Sequence, residues 1–252
     1  MRIAALYDIH GNLPALEAVL QEVHSIGVDL IIVGGDLLPG PMPNECADLI
    51  RSQKTPVQAL MGNGEREILD LRSGGDGMAI PERFRDSVRW VAETLRPEHE
   101  EYISSWPATI SVPISDSTDV LLCHATPRND VEVFTKLTPE EVLQPVFEYT
   151  RESVVVCGHT HMQFDRVIGQ HRVVNAGSVG MPFGEPGAYW LLIDSELSHR
   201  KTEYDMHAAA ERVQRTNYPL AKDFAERNIQ NPPTEADVLE LFTKAEIGRS
   251  KA

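Results

Sequence analysis

Cysteine is scarce in this chain of 252 residues: Cys46, Cys123 and Cys157 are the only three. They are odd in number and far apart, which excludes a disulfide framework and a CxxC zinc site and points to the reducing cytoplasm. Long apolar runs are missing too, and nothing approaches the ~20 residues of a membrane span. The opening segment, Met1 to Tyr7, runs into a strand-like stretch cut short by Asp8, so no secretory leader is expected there. Positive charge is also in short supply, with 23 Lys and Arg against 38 Asp and Glu and a net charge of −15. Such a surface repels nucleic-acid backbones and anionic lipid, which disfavours non-specific duplex binding. A phosphate-bearing substrate therefore needs a local device to overcome the repulsion, and a metal ion is the obvious one.

What is present reads as an α/β chain. An apolar run from Ile3 to Tyr7 ends at Asp8, and Leu13 to Ile26 has helical spacing that Gly27 stops. Leu30 to Val33 is a β-branched run ending in Gly34-Gly35-Asp36; a helix around Glu45 to Arg51 follows, then a strand from Val57 to Met61 ending in Gly62-Asn63. This alternation implies a parallel sheet with packed helices. Residues 72–107 differ: a Gly-rich stretch precedes two helices, Arg83 to Leu95 and Glu98 to Ser105, expected as an insertion near the cleft. Strands resume at Ile110 to Ile114 and at Val120 to Cys123, the latter ending in His124. A helix over Pro139 to Tyr149 leads to a strand, Val154 to Cys157, ending in Gly158-His159-Thr160-His161. Strands near Phe164 to Ile168, Arg172 to Asn175, Tyr189 to Asp194 and Ser198 to Tyr204 suggest a second, more antiparallel sheet. Residues 206–252 read as a helical extension to a domain spanning residues 1–205.

The chemistry collects at strand ends. Asp8, His10, Asp36, Asn63, His124, His159 and His161 each follow an apolar strand, and four of the nine histidines of the chain are among them. In an open α/β sheet, ligands bind beyond the carboxyl ends of the strands, so these side chains are expected at one edge of one sheet. Imidazole, carboxylate and amide oxygen together suit borderline divalent ions such as Mn²⁺, Fe²⁺, Co²⁺, Ni²⁺ or Zn²⁺. Seven ligands exceed the needs of one ion with open positions but suit two ions about 3.5–4 Å apart. In an extended strand end the members of Asp8-x-His10 and His159-x-His161 point the same way, which would aim each pair at one pocket.

Asp8-x-His10, Gly35-Asp36, Gly62-Asn63, His124 and Gly158-His159-x-His161 resemble, in order, the motif set of the calcineurin-like metallophosphoesterases. The small bacterial and archaeal phosphodiesterase branch is most similar. The resemblance implies an α/β/β/α sandwich of two packed sheets. It implies one metal held by Asp8, His10, Asp36 and His161, and a second by Asp36, Asn63, His124 and His159, with Asp36 as the bridge. Asp36, Asn63 and His124 are the implied catalytic members. A hydroxide bridging the ions would attack phosphorus in line with the leaving oxygen. One departure stands out: many members carry Gly-Asn-His at the third motif, where this chain has Gly62-Asn63-Gly64-Glu65. Gly64 has no proton to give, so the implied leaving-group acid is absent, with Glu65 or Arg66 as stand-ins from the same loop.

Other residues carry weaker signals. Asn12 reads first as a helix N-cap and second as a substrate contact. Arg66 and Arg128 are candidate phosphate partners, although exposed loop arginines are common. His24, His99, His171, His199 and His207 read as surface residues, and the Gly-rich loop after Asn175 reads as a turn before an anion nest. Gly34 to Gly40 lacks the Lys-Ser/Thr of a P-loop. The expected function is a cytoplasmic, dinuclear metal-dependent phosphohydrolase, more a phosphodiesterase than a monoesterase, acting on small phosphoesters or nucleotides. Duplex nucleic acid and membrane are not expected partners, and self-association into a homo-oligomer is left open. The rivals are a phosphoprotein or dinucleoside-polyphosphate phosphatase, and a non-catalytic scaffold on the same fold, as in the retromer subunit that resembles these enzymes.

Overall fold

A computed structural model describes residues 1–115 and 118–247. The last five residues of the expected extension, 248–252, lie outside the described residues. The chain begins with β1 (Ile3–Leu6), four apolar residues buried on both faces, as an inner parallel strand requires. α1 (Leu13–Ile26) follows. Its buried stripe is Leu13, Leu16, Val19, Leu20 and Val23, and Gly27 closes it in the left-handed conformation with its N–H on the Val23 carbonyl. Then come β2 (Leu30–Val33), α2 (Pro43–Arg51), β3 (Val57–Ala59) and α3 (Asn63–Arg72). α4 (Glu82–Thr94) and α5 (Pro97–Ser104) precede β4 (Thr109–Ser115) and β5 (Thr118–Cys123). The remainder is α6 (Glu140–Phe147), β6 (Val154–Cys157), β7 (Phe164–Ile168), β8 (His171–Asn175), β9 (Ala188–Ile193), β10 (Leu197–Thr202), α7 (Met206–Gln214), α8 (Ala221–Phe224) and α9 (Glu235–Thr243). α8 runs on as a π-helical turn, Ala225–Gln230.

The strands form two mixed sheets of five, in the orders β10-β9-β1-β2-β3 and β4-β5-β6-β8-β7. Period-two alternation builds the layers. Ile3, Ala5 and Tyr7 face the second sheet and pack on Val120, Leu122, Val154, Val156 and Val174. Ala4 and Leu6 face the other way, onto α1, α2 and α4. On the far side of the second sheet, Cys123, Val155, Cys157 and Val173 pack against Leu143, Val146 and Phe147 of α6. The result is the expected α/β/β/α sandwich. Tyr7, fully buried, donates its hydroxyl hydrogen to the Val156 carbonyl at 3.2 Å and so ties the sheets together. Gly34 leaves room for that ring, since a Cβ there would lie 2.1 Å from it.

Three expectations are corrected. The late strands do not form a sheet of their own: β7 and β8 join β6, whereas β9 pairs antiparallel with β1 and carries β10 with it. Alternation reports which face of a strand is buried, and not the sheet it joins. Glu65 and Arg66, expected in a loop, lie in the first turn of a helix, α3. His99 is fully buried and not a surface residue, bonded to Asn44 at 2.9 Å and to Asp48 at 3.0 Å. The C-terminal helices pack into the core of the first sheet through Ala209, Ala210, Val213, Phe224 and Ile229.

Leu122 sits wholly buried in the inter-sheet layer. Leu122→Ala should cost about 2–5 kcal/mol of stability in urea unfolding, and a loss under 1 kcal/mol would contradict this layer assignment.

Candidate metal centre

The site is assembled from loops that prolong both sheets. Beyond β1 and β2 the backbones stay side by side: the Asp8 N–H reaches the Gly35 carbonyl at 3.2 Å, that of His10 the Asp36 carbonyl at 2.8 Å and that of Gly11 the Leu37 carbonyl at 2.9 Å. Asp8, His10, Asp36 and Asn63 arrive from the first sheet, and His124, His159 and His161 from the second. The expectation of one edge of one sheet is thereby corrected: the residues meet where the ends of two sheets face each other.

Backbone conformation at the site is unusual. The non-glycine residues with positive φ, among those described, are Asp8 (52°), His10 (49°), Asp36 (53°), His159 (64°) and His161 (57°). All five are candidate ligands. Each left-handed residue costs about 1–2 kcal/mol, least for Asp, Asn and His. The Asp8-x-His10 and His159-x-His161 pairs therefore converge through left-handed kinks, and not through the alternation of an extended strand.

Backbone carbonyls fix the imidazoles. Nδ1 of His10 lies 3.1 Å from the Pro39 carbonyl, that of His124 3.0 Å from Gly34 and that of His161 2.7 Å from Met181. A carbonyl only accepts, so each Nδ1 carries the hydrogen and each neutral ring turns a bare Nε2 lone pair inward. His161 Nε2 is 3.3 Å from Asp8 Oδ1, and the Nε2 atoms of His10 and His124 are each 3.9 Å from it. Asp36 Oδ2 stands between His10 Nε2 at 3.7 Å and His124 Nε2 at 3.6 Å. Asn63 Oδ1 is 3.2 Å from His124 Nε2. His159 meets the His124 ring edge-on, with centroids 5.1 Å apart.

Two features show that this donor set fits a cation. Asp8 is fully buried, and its Oδ1 has no hydrogen-bond partner, while Oδ2 accepts the His159 N–H at 2.8 Å. An unsatisfied buried carboxylate oxygen is expensive unless paired. Moreover, the Nε2 atoms of His10 and His161 face each other at 3.2 Å, and two lone pairs at that distance repel unless a positive charge lies between them. Two groups of ligand atoms lie within 4.8 Å of one another: Asp8, His10 and His161, and Asp8, Asp36 and His124. Burial opposes charge on Asp8, but His161, His124 and His10 outweigh it and hold its carboxyl well below the usual carboxylate range. Burial lowers His159 to about 4, helped by His124.

Glu65 is the site residue that sequence reasoning undervalued. Fully buried, it accepts the N–H groups of Asp36 (2.7 Å), Leu38 (3.1 Å) and Gly62 (3.1 Å), so one carboxylate clamps the two loops that carry the candidate ligands Asp36 and Asn63. Burial, and then the Asp36 charge, push it up to about 7. A Glu three residues after a helix N-cap is a capping signature that would have flagged it. Gly64 is explained by space. Its N–H donates to Asp36 Oδ1 at 2.7 Å, and a Cβ there would come within 2.1 Å of Pro39 Cγ. The loop after Asn175 is a turn clasping β1: Val179 N–H bonds the Tyr7 carbonyl at 3.0 Å, and Ser178 donates its hydroxyl to the Asp8 carbonyl at 2.7 Å.

Asn12, Arg66 and Arg128 are not gathered with the seven. Asn12 is fully buried, accepts the Ala15 N–H as the N-cap of α1 and donates to the Gly180 carbonyl at 2.9 Å. Arg66 pairs with Asp130 at 2.6 Å, and Arg128 pairs with Glu132 on the following turn. Beside the ligands opens a cavity of about 290 Å³, with His10, Asp36, Asn63, His159 and His161 on one side. A wider hollow of about 550 Å³ beside α6, lined by Gln144, Arg151 and His171, holds none of the seven.

A two-sheet sandwich with carboxylates, imidazoles and an amide at the facing strand ends is the architecture of a metallophosphoesterase. The signature of the calcineurin-like phosphoesterase superfamily domain matches residues 1–196, and the chain belongs to that family. It is 27% identical over 238 residues to the uncharacterized protein MJ0912 of Methanocaldococcus jannaschii, covering 86% of this chain and 93% of that one. Its fold is similar to that of the hypothetical protein PH1004 from Pyrococcus horikoshii OT3, with a TM-score of 0.77, 19% identity, and 92% and 99% of the two chains covered. It is also similar to that of a metallophosphoesterase from Sphaerobacter thermophilus, with a TM-score of 0.69, 23% identity, and 90% and 98% covered.

Manganese at a hundredfold excess over its dissociation constant should raise the melting temperature by about 5–10 °C in calorimetry, and Asp8→Asn should lose most of that rise. An equal rise in both proteins would mean that the ion binds elsewhere. Burial opposes charge on His124 and His161, but the facing carboxylates, Asp36 foremost at His124 and Asp8 at His161, hold both above the ordinary imidazole value. Protons therefore compete with the ion, and manganese affinity should rise with pH through the imidazole range with proton release in titration calorimetry. Affinity independent of pH from about 5.5 to 8 would contradict these ligands.

Proposed function

We propose that the protein is a metal-dependent phosphohydrolase, acting by preference on phosphodiesters of small molecules in the reducing cytoplasm. The observation that carries this reading is the orphaned Asp8 Oδ1 facing three oriented imidazoles between the two sheets. Asp8, His10, Asp36 and His161 would hold one divalent ion, and Asp36, Asn63, His124 and His159 a second. Such ions supply an activated water and neutralise phosphoryl charge. The placement of Asp36 Oδ2 between His10 and His124 supports its role as the shared ligand.

The residues of the chain do the positioning. Gly34, Pro39 and Met181 fix the three rings through their carbonyls, so the donor atoms need no reorganisation when substrate arrives. Glu65 and the Gly64 N–H immobilise Asp36 from two sides. Pro39 leaves no room for a proton donor at position 64, so the leaving group must depart with little help from there. This favours esters of acidic alcohols. All three cysteines are buried and free, which agrees with a reducing compartment. Among the described residues no helix is long and apolar enough to cross a membrane. The scaffold reading predicts missing ligands, and here all seven are present.

Hydrolysis of bis(p-nitrophenyl) phosphate with added Mn²⁺ tests the proposal. The wild type should turn it over, and Asp36→Asn and His124→Ala should each lower kcat at least about 100-fold. Equal rates in all three proteins would remove the mechanism. Rates should also fall steeply as the leaving alcohol becomes less acidic, and a flat dependence would reveal an acid at the leaving group.

A further inference from the structure

The cavity beside the ligands has a second wall that the chemistry does not use. It is built by Ile80, Phe84 and Val88, at and just before α4, and by Tyr218, Leu220 and Phe224 around α8. Tyr218 is held in place by Trp90, edge-on at 5.6 Å, and by Phe224 at 6.2 Å. Phe84 keeps 37% of its surface exposed, a large share for a phenyl ring flanked by buried Ile80 and Val88. No lysine or arginine lines the cavity, whereas Asp36, Glu67 and Asp223 do. Three arginines lie on neighbouring turns: Arg66 pairs with Asp130, Arg227 pairs with Asp223 at 3.0 Å, and Arg83 stacks its guanidinium over the Phe84 ring, 4.5 Å from its centroid.

Charge and volume together limit what fits. One phosphate can be neutralised at the ligand cluster. A second phosphate further in would meet carboxylates and apolar carbon, with no cation among the lining residues to receive it. The cavity, at about 290 Å³, lies at the small end for ligand pockets. A cavity of roughly 150 Å³ suffices for benzene, so this one encloses a phosphoryl group and one ring, and anything larger would have to extend out of its open side.

We infer that this wall receives the organic group of the substrate, and that this group is uncharged, apolar and about the size of one aromatic ring, carried on a single phosphate. The inference deepens the phosphohydrolase reading and rests on it for the identity of the phosphate. Phe84 and Leu220 act as specificity residues, and the segments bearing them set the choice of substrate.

Binding of non-hydrolysable phosphonates tests the wall independently of turnover. Titration calorimetry with Mn²⁺ present would compare methylphosphonate, phenylphosphonate and 4-carboxyphenylphosphonate. Phenylphosphonate should bind at least about tenfold tighter than methylphosphonate, the gain expected for burying an aromatic face. The carboxylate on the ring should cancel most of that gain. Phe84→Ala should shrink the phenyl-to-methyl ratio several-fold, and Leu220→Lys should shift preference toward the carboxylated ring. Equal binding of the three by the wild type, or unchanged ratios in both variants, would overturn the inference. Phenyl preference in a protein that fails to hydrolyse bis(p-nitrophenyl) phosphate would support the wall while removing the hydrolase reading. Turnover with no preference would do the reverse.

Discussion

One buried carboxylate holds the arrangement together. Asp8 leaves β1 of the first sheet, and its Oδ2 takes the backbone N–H of His159, which leaves β6 of the second. Its other oxygen, sealed from water and without a hydrogen-bond partner, faces imidazoles from both sheets, that of His161 at 3.3 Å. A charge so placed is tolerable only where positive charge gathers round it. The distance between the sheet ends, the left-handed kinks and the ring orientations all serve that condition. Around it the protein commits three backbone carbonyls, two from the loop after β2 and one from the loop before β9, to three imidazole N–H groups, so the donor geometry is built into the fold.

The supporting layer is as specific as the ligands. Glu65 spans the amides of Asp36, Leu38 and Gly62, the Ser178 turn clasps the carbonyl ends of β1, and Tyr7 pins the sheets just beneath. None of these is a candidate ligand, yet Glu65 holds Asp36 and the Ser178 turn holds Asp8, both of which are. Gly64 belongs to this layer as well. In the family resemblance its bare backbone reads as the loss of an acid; in the structure the missing Cβ leaves room for Pro39 and Asp36, either of which it would crowd.

Much of this was legible in the sequence, and the gaps have physical causes. The ordered motifs from Asp8 to His161 carried the fold and pointed to the seven candidate ligands that the structure gathers, because turn residues mark where strands stop. The pairing of β9 with β1 was not legible, since apolar alternation is the same whichever sheet a strand joins. The αL conformations of Asp8 and His159 were hidden because Asp and His adopt them without a glycine to announce it. α3 was missed because Asn63-Gly64 reads as a turn, while Glu65 caps the helix from within its first turn. The cavity wall was invisible because Phe84 and Leu220 are far apart in sequence and meet only when the C-terminal helices fold back.

That folding back divides labour within the molecule. The candidate ligands are carried by strand ends locked between two sheets, where almost any change in shape is costly. The apolar wall is carried by helices packed on the outside of one sheet; Ile80, Val88 and Phe224 belong to the core there, but Phe84 and Leu220 are only partly covered and can be exchanged with less disturbance beneath. A lineage built on this plan can drift to new organic groups by altering the helices alone, keeping an unaltered reaction centre while the range of molecules it serves diversifies.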